Sequence, residues 1–210
     1  MSWRVERRSL SAAQFHALEI PEPAERAVWV ADPTAPALVL GSAQPDADVR
    51  RGIAIDVVRR RSGGGAVLVS PREVLWIDVI VPAGDPLWDD DVGRASHWLG
   101  GVWAAALAEL AVEAEVHRGP LVRTAWSAAV CFAGLGPGEV TVDGRKVVGI
   151  SQRRTRSAAR FQCAALGHWD PGALLALLTI DAPVAELEPI AAGAGVPLGH
   201  LLAAFLRHLP

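Results

Sequence analysis

Alternation of apolar and polar positions is strongest in EVLWIDVIVP, residues 73–82. Val74, Trp76, Asp78 and Ile80 share one side of an extended segment, and Leu75, Ile77, Val79 and Val81 share the other. The second side is wholly aliphatic, which predicts a strand packed on a helical layer. Shorter apolar runs bounded by turn residues predict strands at RAVWVADP, ALVLG, IDVVRR, GAVLVS, AEVH, AAVCFA, GEVTV, RKVVG and ARFQCAAL. The period changes in DVGRASHWLGGVWAAALAEL, where Leu99, Val102, Trp103, Ala106, Leu107 and Leu110 recur at helical spacing. PGALLALL and PLGHLLAAFLRHL predict two later helices, Ser11 to Leu18 a short early one, and PDADVRRGIA a brief helical approach. The remainder of residues 1 to 25 reads as polar and proline-punctuated. Strands following one another through hairpins argue against a regularly alternating βαβ unit and for a mixed sheet with flanking helices.

With 210 residues and 51% apolar content, the chain can bury the core of one domain. We expect residues 1–210 to form a single catalytic domain without a C-terminal accessory domain. A net charge of -3 gives no support to a nucleic-acid-coating surface. Arginines crowd locally at Arg59 to Arg61 and Arg153 to Arg160, a pattern suited to a small bound anion. Cys131 and Cys163 stand far apart without CxxC or His/Cys spacing, so neither a disulfide framework nor a metal site is expected. The apolar stretch from Trp98 to Val112 falls short of the roughly 20 residues a membrane span needs. The expectation is a soluble cytoplasmic protein with no membrane or nucleic-acid partner.

Two segments carry candidate chemistry. RRRSGGGAV, residues 59–67, places three glycines beside arginines and a hydroxyl between two strands. Its amides can cradle a ligand while Arg60 or Arg61 pairs with an anion, yet it matches neither a P-loop nor a dinucleotide fingerprint. The second segment, VDGRKVVGISQRR, carries Lys146, the sole lysine among 20 basic residues. An ammonium is a compact point charge where a guanidinium is a wide fork, which suggests a position that rejects arginine. The Asp143-Gly144 pair before it predicts a type I′ hairpin and sets Lys146 just inside the returning strand.

Together these segments resemble the two principal motifs of the biotin/lipoate protein-ligase superfamily, closest to its lipoate-protein ligase and octanoyl transferase branches. LVLGSAQ, AVCF and ARFQCAAL match the neighbouring segments in order, so the likeness runs from about Ala27 through Leu178. It implies an α/β (α+β) fold like the catalytic domains of biotin protein ligase and class II aminoacyl-tRNA synthetases, with a mixed, largely antiparallel sheet. By the same resemblance, Arg60, Arg61, Ser62, Gly63, Gly64, Gly65 and Ala66 form the acyl/adenylate loop. Lys146 is the essential lysine, and Gly149, Ser151 and Gln152 shape its surroundings. Family ligases use ATP and Mg²⁺ to make an acyl-adenylate of lipoate or octanoate. They pass the acyl group to a lysine of a lipoyl acceptor domain, as in 2-oxoacid dehydrogenase complexes or the glycine cleavage H protein. Neither a permanently bound cofactor nor a protein metal site is implied.

Three readings follow. The leading one is a lipoate or octanoate protein ligase working through an acyl-adenylate, with or without a separate accessory domain. Related transferases instead take octanoyl from acyl carrier protein through a cysteine thioester, and Cys163, after an arginine-rich stretch, is the candidate nucleophile. Cys131 is expected to pack beside Phe132. The third is a non-catalytic binder of an acyl-adenylate or carrier domain, prompted by departures from the family pattern: LVSPRE follows SGGGAV, and Gln162-Cys163 stands where HG is common.

Overall fold

The computed structural model describes residues 2–210. The main sheet has seven strands in the order β1 (Arg4–Leu10), β2 (Ala27–Pro33), β6 (Val74–Pro82), β10 (Ala158–Leu166), β9 (Arg145–Arg154), β8 (Val140–Val142) and β7 (Glu115–Val116). All neighbours pair antiparallel except β1 and β2, which run parallel across the helix α1 (Ala12–Ala17). A second, three-stranded sheet places β3 (Ala37–Leu40) between β4 (Asp56–Arg59), parallel to it, and β5 (Val67–Val69), antiparallel. This is the mixed, largely antiparallel α/β architecture expected from the sequence.

The two sides of β6 sort as their alternation predicts. Leu75, Ile77, Val79 and Val81 join a core with the helices α2 (His97–Glu109) and α5 (Leu198–Arg207), including Trp103 and Phe205 with ring centroids 4.3 Å apart. Trp76 and Ile80 face the other way, packing with Phe15 of α1 and with Val39, Val58 and Val69 of the small sheet. Beyond the small sheet, Leu38 and Leu40 pack with Leu174, Leu178 and Leu187 from α3 (Pro171–Leu175), α4 (Val184–Leu187) and adjoining turns. Each such side chain, fully buried, contributes about 1.5–3 kcal/mol. Among the described residues, no helix is long and apolar enough to cross a membrane.

Three local expectations differ from the structure. Residues Arg4–Leu10 form an edge strand, which charged residues on both of its faces concealed. The helix expected from residue 91 begins at His97, because the preceding carboxylates are spent on turns: Asp89 accepts from the Asp91 amide and Asp91 from the Gly93 amide, each at 2.8 Å. AAVCFA is a strand only at the single bridge between Ala66 and Val130, and then tightens into a 3₁₀ turn at Cys131–Ala133. Both Cys131 and Gly134 turn their carbonyls toward Lys146 there, so this backbone serves the site rather than a ladder.

A buried ion pair fixes α1 to the main sheet. Arg160 on β10 meets Asp78 on β6 at 2.6 Å and donates to the carbonyls of Phe15 and Leu18 at the end of α1. Trp76 and Gln162 donate to the same carboxylate at 2.9 and 3.1 Å. Every acceptor in this network is matched, which is the condition for a buried pair to be tolerated.

Candidate active site

A cavity of about 820 Å³ opens where the main sheet, the small sheet and the glycine loop meet. Lys146 reaches it through an irregularity in β9. The Asp143-Gly144 turn takes positive φ at both residues, 49° and 73°, as a type I′ hairpin requires. Lys146 and Gly149 lie three positions apart, so an unbroken strand would send them to opposite faces. The β8–β9 register shifts at Val140/Thr141, and Val147 and Val148 both enter the helix-side core. Consequently Lys146, Gly149 and Ser151 all border the cavity. The Lys146 backbone is tied to residues 190–192, its amide donating to Ile190 and its carbonyl accepting from Ala192, both at 3.0 Å.

The ammonium is nearly sealed, with Lys146 3% exposed. Its Nζ lies 2.7 Å from Glu139 Oε2 and donates to the Gly134 and Cys131 carbonyls at 2.9 and 3.2 Å. The Phe132 ring centroid is 4.9 Å away. A β-carbon on Gly149 would crowd Lys146 Cε at 3.3 Å, so the glycine leaves room for the side chain. Glu139 is itself anchored, its Oε2 accepting from the Gly136 amide at 2.6 Å and its Oε1 from the Ile150 amide at 3.0 Å.

Arg60 organises the glycine loop from inside. Its guanidinium donates to the carbonyls of Gly63 at 2.6 Å, Gly65 at 2.9 Å and Val39 at 3.3 Å, and to Ser62 Oγ at 3.2 Å. None of these partners is charged, so a full positive charge stands at the cavity wall. Gly63 and Gly64 line the cavity, Gly64 with φ of 91°. Gly65 and Ala66 do not: a β-carbon on Gly65 would fall 2.3 Å from the Val130 nitrogen, and Ala66 is fully buried, exchanging backbone hydrogen bonds with Ala129 and Cys131. Ser62 stands behind the loop, its Oγ 3.1 Å from Ser151 Oγ, and joins it to β9. Arg61 turns outward to an exposed ion pair with Glu19 at 2.7 Å. Gln152 follows Ser151 on β9, where strand alternation turns it to the opposite side, and it does not border the cavity. Arg61, Gly65, Ala66 and Gln152 therefore stand outside the cavity wall.

Cys131 packs against the cluster that holds Phe132, as expected, but it also reaches the cavity, whereas Cys163 does not have the exposure expected of a nucleophile. Cys163 borders the cavity but is 1% exposed, and its side chain belongs to the helix-side core with Trp103. Burial pushes its thiol well above the ordinary cysteine range, which disfavours the nucleophilic thiolate. The alternation of β10 carried this signal, since Phe161, Cys163 and Ala165 share one side and Gln162 and Ala164 the other. Cys131 is partly exposed, lines the cavity and sets its Sγ 3.8 Å from Arg60 Nη2.

Sequence reasoning also missed Glu139 and His16. A lone glutamate after PG reads as a turn residue; nothing in the sequence pairs it with Lys146. His16 lies on α1, tilts against Trp76 with ring centroids 4.6 Å apart and approaches Gln162 Nε2 at 3.4 Å. Burial, then the charges of Arg160 and Arg60, hold its pKa down to about 3, so the imidazole on this wall is neutral. Beside it Val39, Val67, Val69 and Ala164 give the cavity an apolar end, so one space joins an aliphatic pocket to a cationic, thiol-bearing centre.

Known proteins share this fold. The T. acidophilum protein Ta0514 with bound lipoic acid superposes with a TM-score of 0.73 at 15% identity, covering 99% of this chain and 84% of that one. Lipoate-protein ligase A bound with ATP gives 0.73 at 16% identity, with coverage of 99% and 84%. The bi-partite lipoate protein ligase from Thermoplasma acidophilum, studied with its E2 lipoyl domain, gives 0.73 at 15%, with coverage of 99% and 82%. At such identities the likeness is one of fold. No curated protein sequence matches this chain. The family model described as the lipoyl protein ligase A/B catalytic domain matches residues 10–193. With most of its length covered by that match, the chain belongs to the lipoyl protein ligase A/B catalytic-domain family, a family of protein ligases and related transferases.

Proposed function

We propose that this chain moves a lipoyl or octanoyl group from an activated donor to a lysine amine on a lipoyl acceptor domain, holding the acyl group on Cys131 as a thioester. The observation that carries the thioester is Cys131, a partly exposed residue lining the same cavity as Lys146, with its Sγ 3.8 Å from the uncompensated Arg60 guanidinium. A thiolate is the attacking form of cysteine, and here it has a cation for a neighbour. The Cys131 thiol gives up its proton and the resulting thiolate attacks the acyl carbonyl of a carrier thioester; the carbon–sulfur bond to the carrier breaks, and the departing carrier sulfur takes up the proton that Cys131 released. The acceptor amine then attacks the same carbonyl, the bond to Cys131 breaks, and the amine proton returns to the sulfur. Negative charge gathers on the carbonyl oxygen in both steps. On this reading the glycine loop and Lys146 meet that charge, one Lys146 N–H exchanging its longer bond to the Cys131 carbonyl for the oxyanion while Glu139 and Gly134 keep the other two. The apolar end between Val39, Val67 and Val69 takes the acyl chain.

A second reading, ligation through an acyl-adenylate, is supported by the ATP-bound neighbour and by a cavity roomy enough for an acid and a nucleotide. The donor set does not fit a protein-held Mg²⁺. Asp48 and Glu139 are the carboxylates on the wall, and both Glu139 oxygens are already engaged. No step is routed through the ion.

The deciding experiment supplies a lipoyl acceptor domain with octanoyl carrier in one reaction and with ATP plus lipoate or octanoate in another, following both proteins by intact mass. Transfer from the carrier with a hydroxylamine-labile adduct on Cys131, absent in C131S, is the expected result. Transfer from free acid and ATP that survives in C131S would replace it with the adenylate route.

A further inference from the structure

Any enzyme that holds an activated acyl group for a lysine amine faces a hazard when one of its own lysines lies beside that group. On the reading above, the acyl carbonyl comes to the centre where Lys146 Nζ ends. A neutral amine there would form a carbon–nitrogen bond to the acyl carbon, expel the carrier or Cys131 sulfur as thiol, and leave a stable amide. The product would be a dead enzyme.

The surroundings of Lys146 oppose that step. Glu139 Oε2 and the carbonyls of Gly134 and Cys131 are all acceptors, at 2.7, 2.9 and 3.2 Å. An ammonium has three N–H groups and no acceptor, so it satisfies all three partners. A neutral amine supplies two donors and turns a lone pair toward the third. Glu139 cannot easily swing away, because the Gly136 and Ile150 amides hold its oxygens. Its backbone is braced as well: Gly138 has φ of 81°, and the Ser96 hydroxyl donates to the Pro137 carbonyl at 2.7 Å. A β-carbon on Gly100 of α2 would lie 2.2 Å from the Gly138 carbonyl oxygen, so helix and loop meet closely at this brace. The rest of the chain repeats the theme, since every other basic side chain is an arginine, a group that stays protonated and is a poor acyl acceptor.

We infer that Glu139 is a positioning residue that holds Lys146 as an ammonium and thereby keeps the enzyme from acylating itself. The inference rests on the acyl-transfer reading for its purpose, but the hold can be measured without it.

N-hydroxysuccinimide octanoate acylates free amines without any help from the enzyme. We expect folded E139Q, in a C131S background, to form the octanoyl amide on Lys146 at least about tenfold faster than C131S alone, because the neutral amide no longer favours the ammonium. Peptide mapping locates the adduct, and its resistance to hydroxylamine marks it as an amide. Should E139Q not fold, E139D, which withdraws the carboxylate by one methylene, is expected to show a smaller gain of about threefold. Equal rates in the folded variant and its parent overturn the inference, even if the wild-type protein transfers acyl groups to an acceptor domain. Faster labelling in a protein that transfers nothing from any donor would uphold the hold on Lys146 while removing the acyl-transfer reading.

Discussion

Gly41 and Gly64 approach so closely that a β-carbon on Gly41 would lie 1.8 Å from the Gly64 carbonyl oxygen. Gly41 directly follows β3, and Gly64 sits at the tip of the glycine loop, so this contact sets how deeply the loop enters the cavity. Around it, the Ser42 amide donates to the Ser62 carbonyl at 2.9 Å and Arg59 Nη1 to the Gly41 carbonyl at 2.8 Å. Backbone cannot yield as a flexible side chain would. G41A should therefore cost about 1–3 kcal/mol of stability by overpacking. It should also lower kcat/KM for acyl transfer by roughly 10²-fold through a displaced loop. Denaturant titration and steady-state transfer assays check both; unchanged kinetics would mean that the loop's depth is unimportant.

The Lys146–Glu139 pair allows stability and chemistry to be separated. K146M leaves a buried carboxylate without its cation, a change that typically costs about 3–5 kcal/mol. The double variant K146M/E139L replaces the pair by apolar groups and should recover most of that loss. Neither should transfer acyl groups. K146R keeps the charge but must fit a planar fork where Gly149 leaves space for a single chain, and we expect its activity to fall by at least about 10²-fold. Recovery of activity in the double variant would show that Lys146 is structural.

What the sequence disclosed, and what it hid, divides by the range of the interactions. The Asp143-Gly144 turn, the alternation of β6 and the period of α5 are local signals, and each stands in the structure. Lys146 was legible because it is the lone lysine beside a diagnostic turn. Glu139 was not, because its meaning comes from a register shift that turns Lys146 toward it. The strand Arg4–Leu10 was hidden for a related reason: it pairs on one edge only and keeps charges on both faces. The burial of Cys163 could have been read from the two-residue period of β10, whereas nearness to arginines in the sequence pointed to this buried thiol.

The two thiols predict a sharp difference in chemical modification. Cys131 is open to the cavity, while Cys163 lies in the core under Trp103 with its thiol pushed up by burial. On the native protein near pH 8, iodoacetamide should label Cys131 at least about tenfold faster than Cys163. An octanoyl ligand in the cavity should slow the labelling of Cys131 and leave Cys163 unaffected. Peptide mapping of a partially labelled sample distinguishes the two, and comparable rates would place Cys163 back among the candidates.

His16 makes stability depend on pH in a direction its environment fixes. In the unfolded chain its imidazole takes up a proton below about pH 6.5. In the folded protein burial, Arg160 and Arg60 delay that uptake until about 3. Between those limits the unfolded state binds more protons, so stability rises with pH, and above them His16 contributes no slope. The full effect is about 1.4 kcal/mol per pH unit. Paired carboxylates such as Asp85 and Asp89, held low by Arg26 and Arg94, contribute their own loss at more acid pH. That loss is common to wild type and variant, so the difference between the two isolates His16. In H16Q the unfolded state gains no proton at this position. Urea denaturation at several values between about pH 4.5 and pH 6.5 should show the variant's advantage over wild type growing as the solution is acidified, by up to that amount per unit. A constant difference across the range would mean that the imidazole is protonated in the folded protein, and the cavity wall opposite Gln162 would then be cationic rather than neutral.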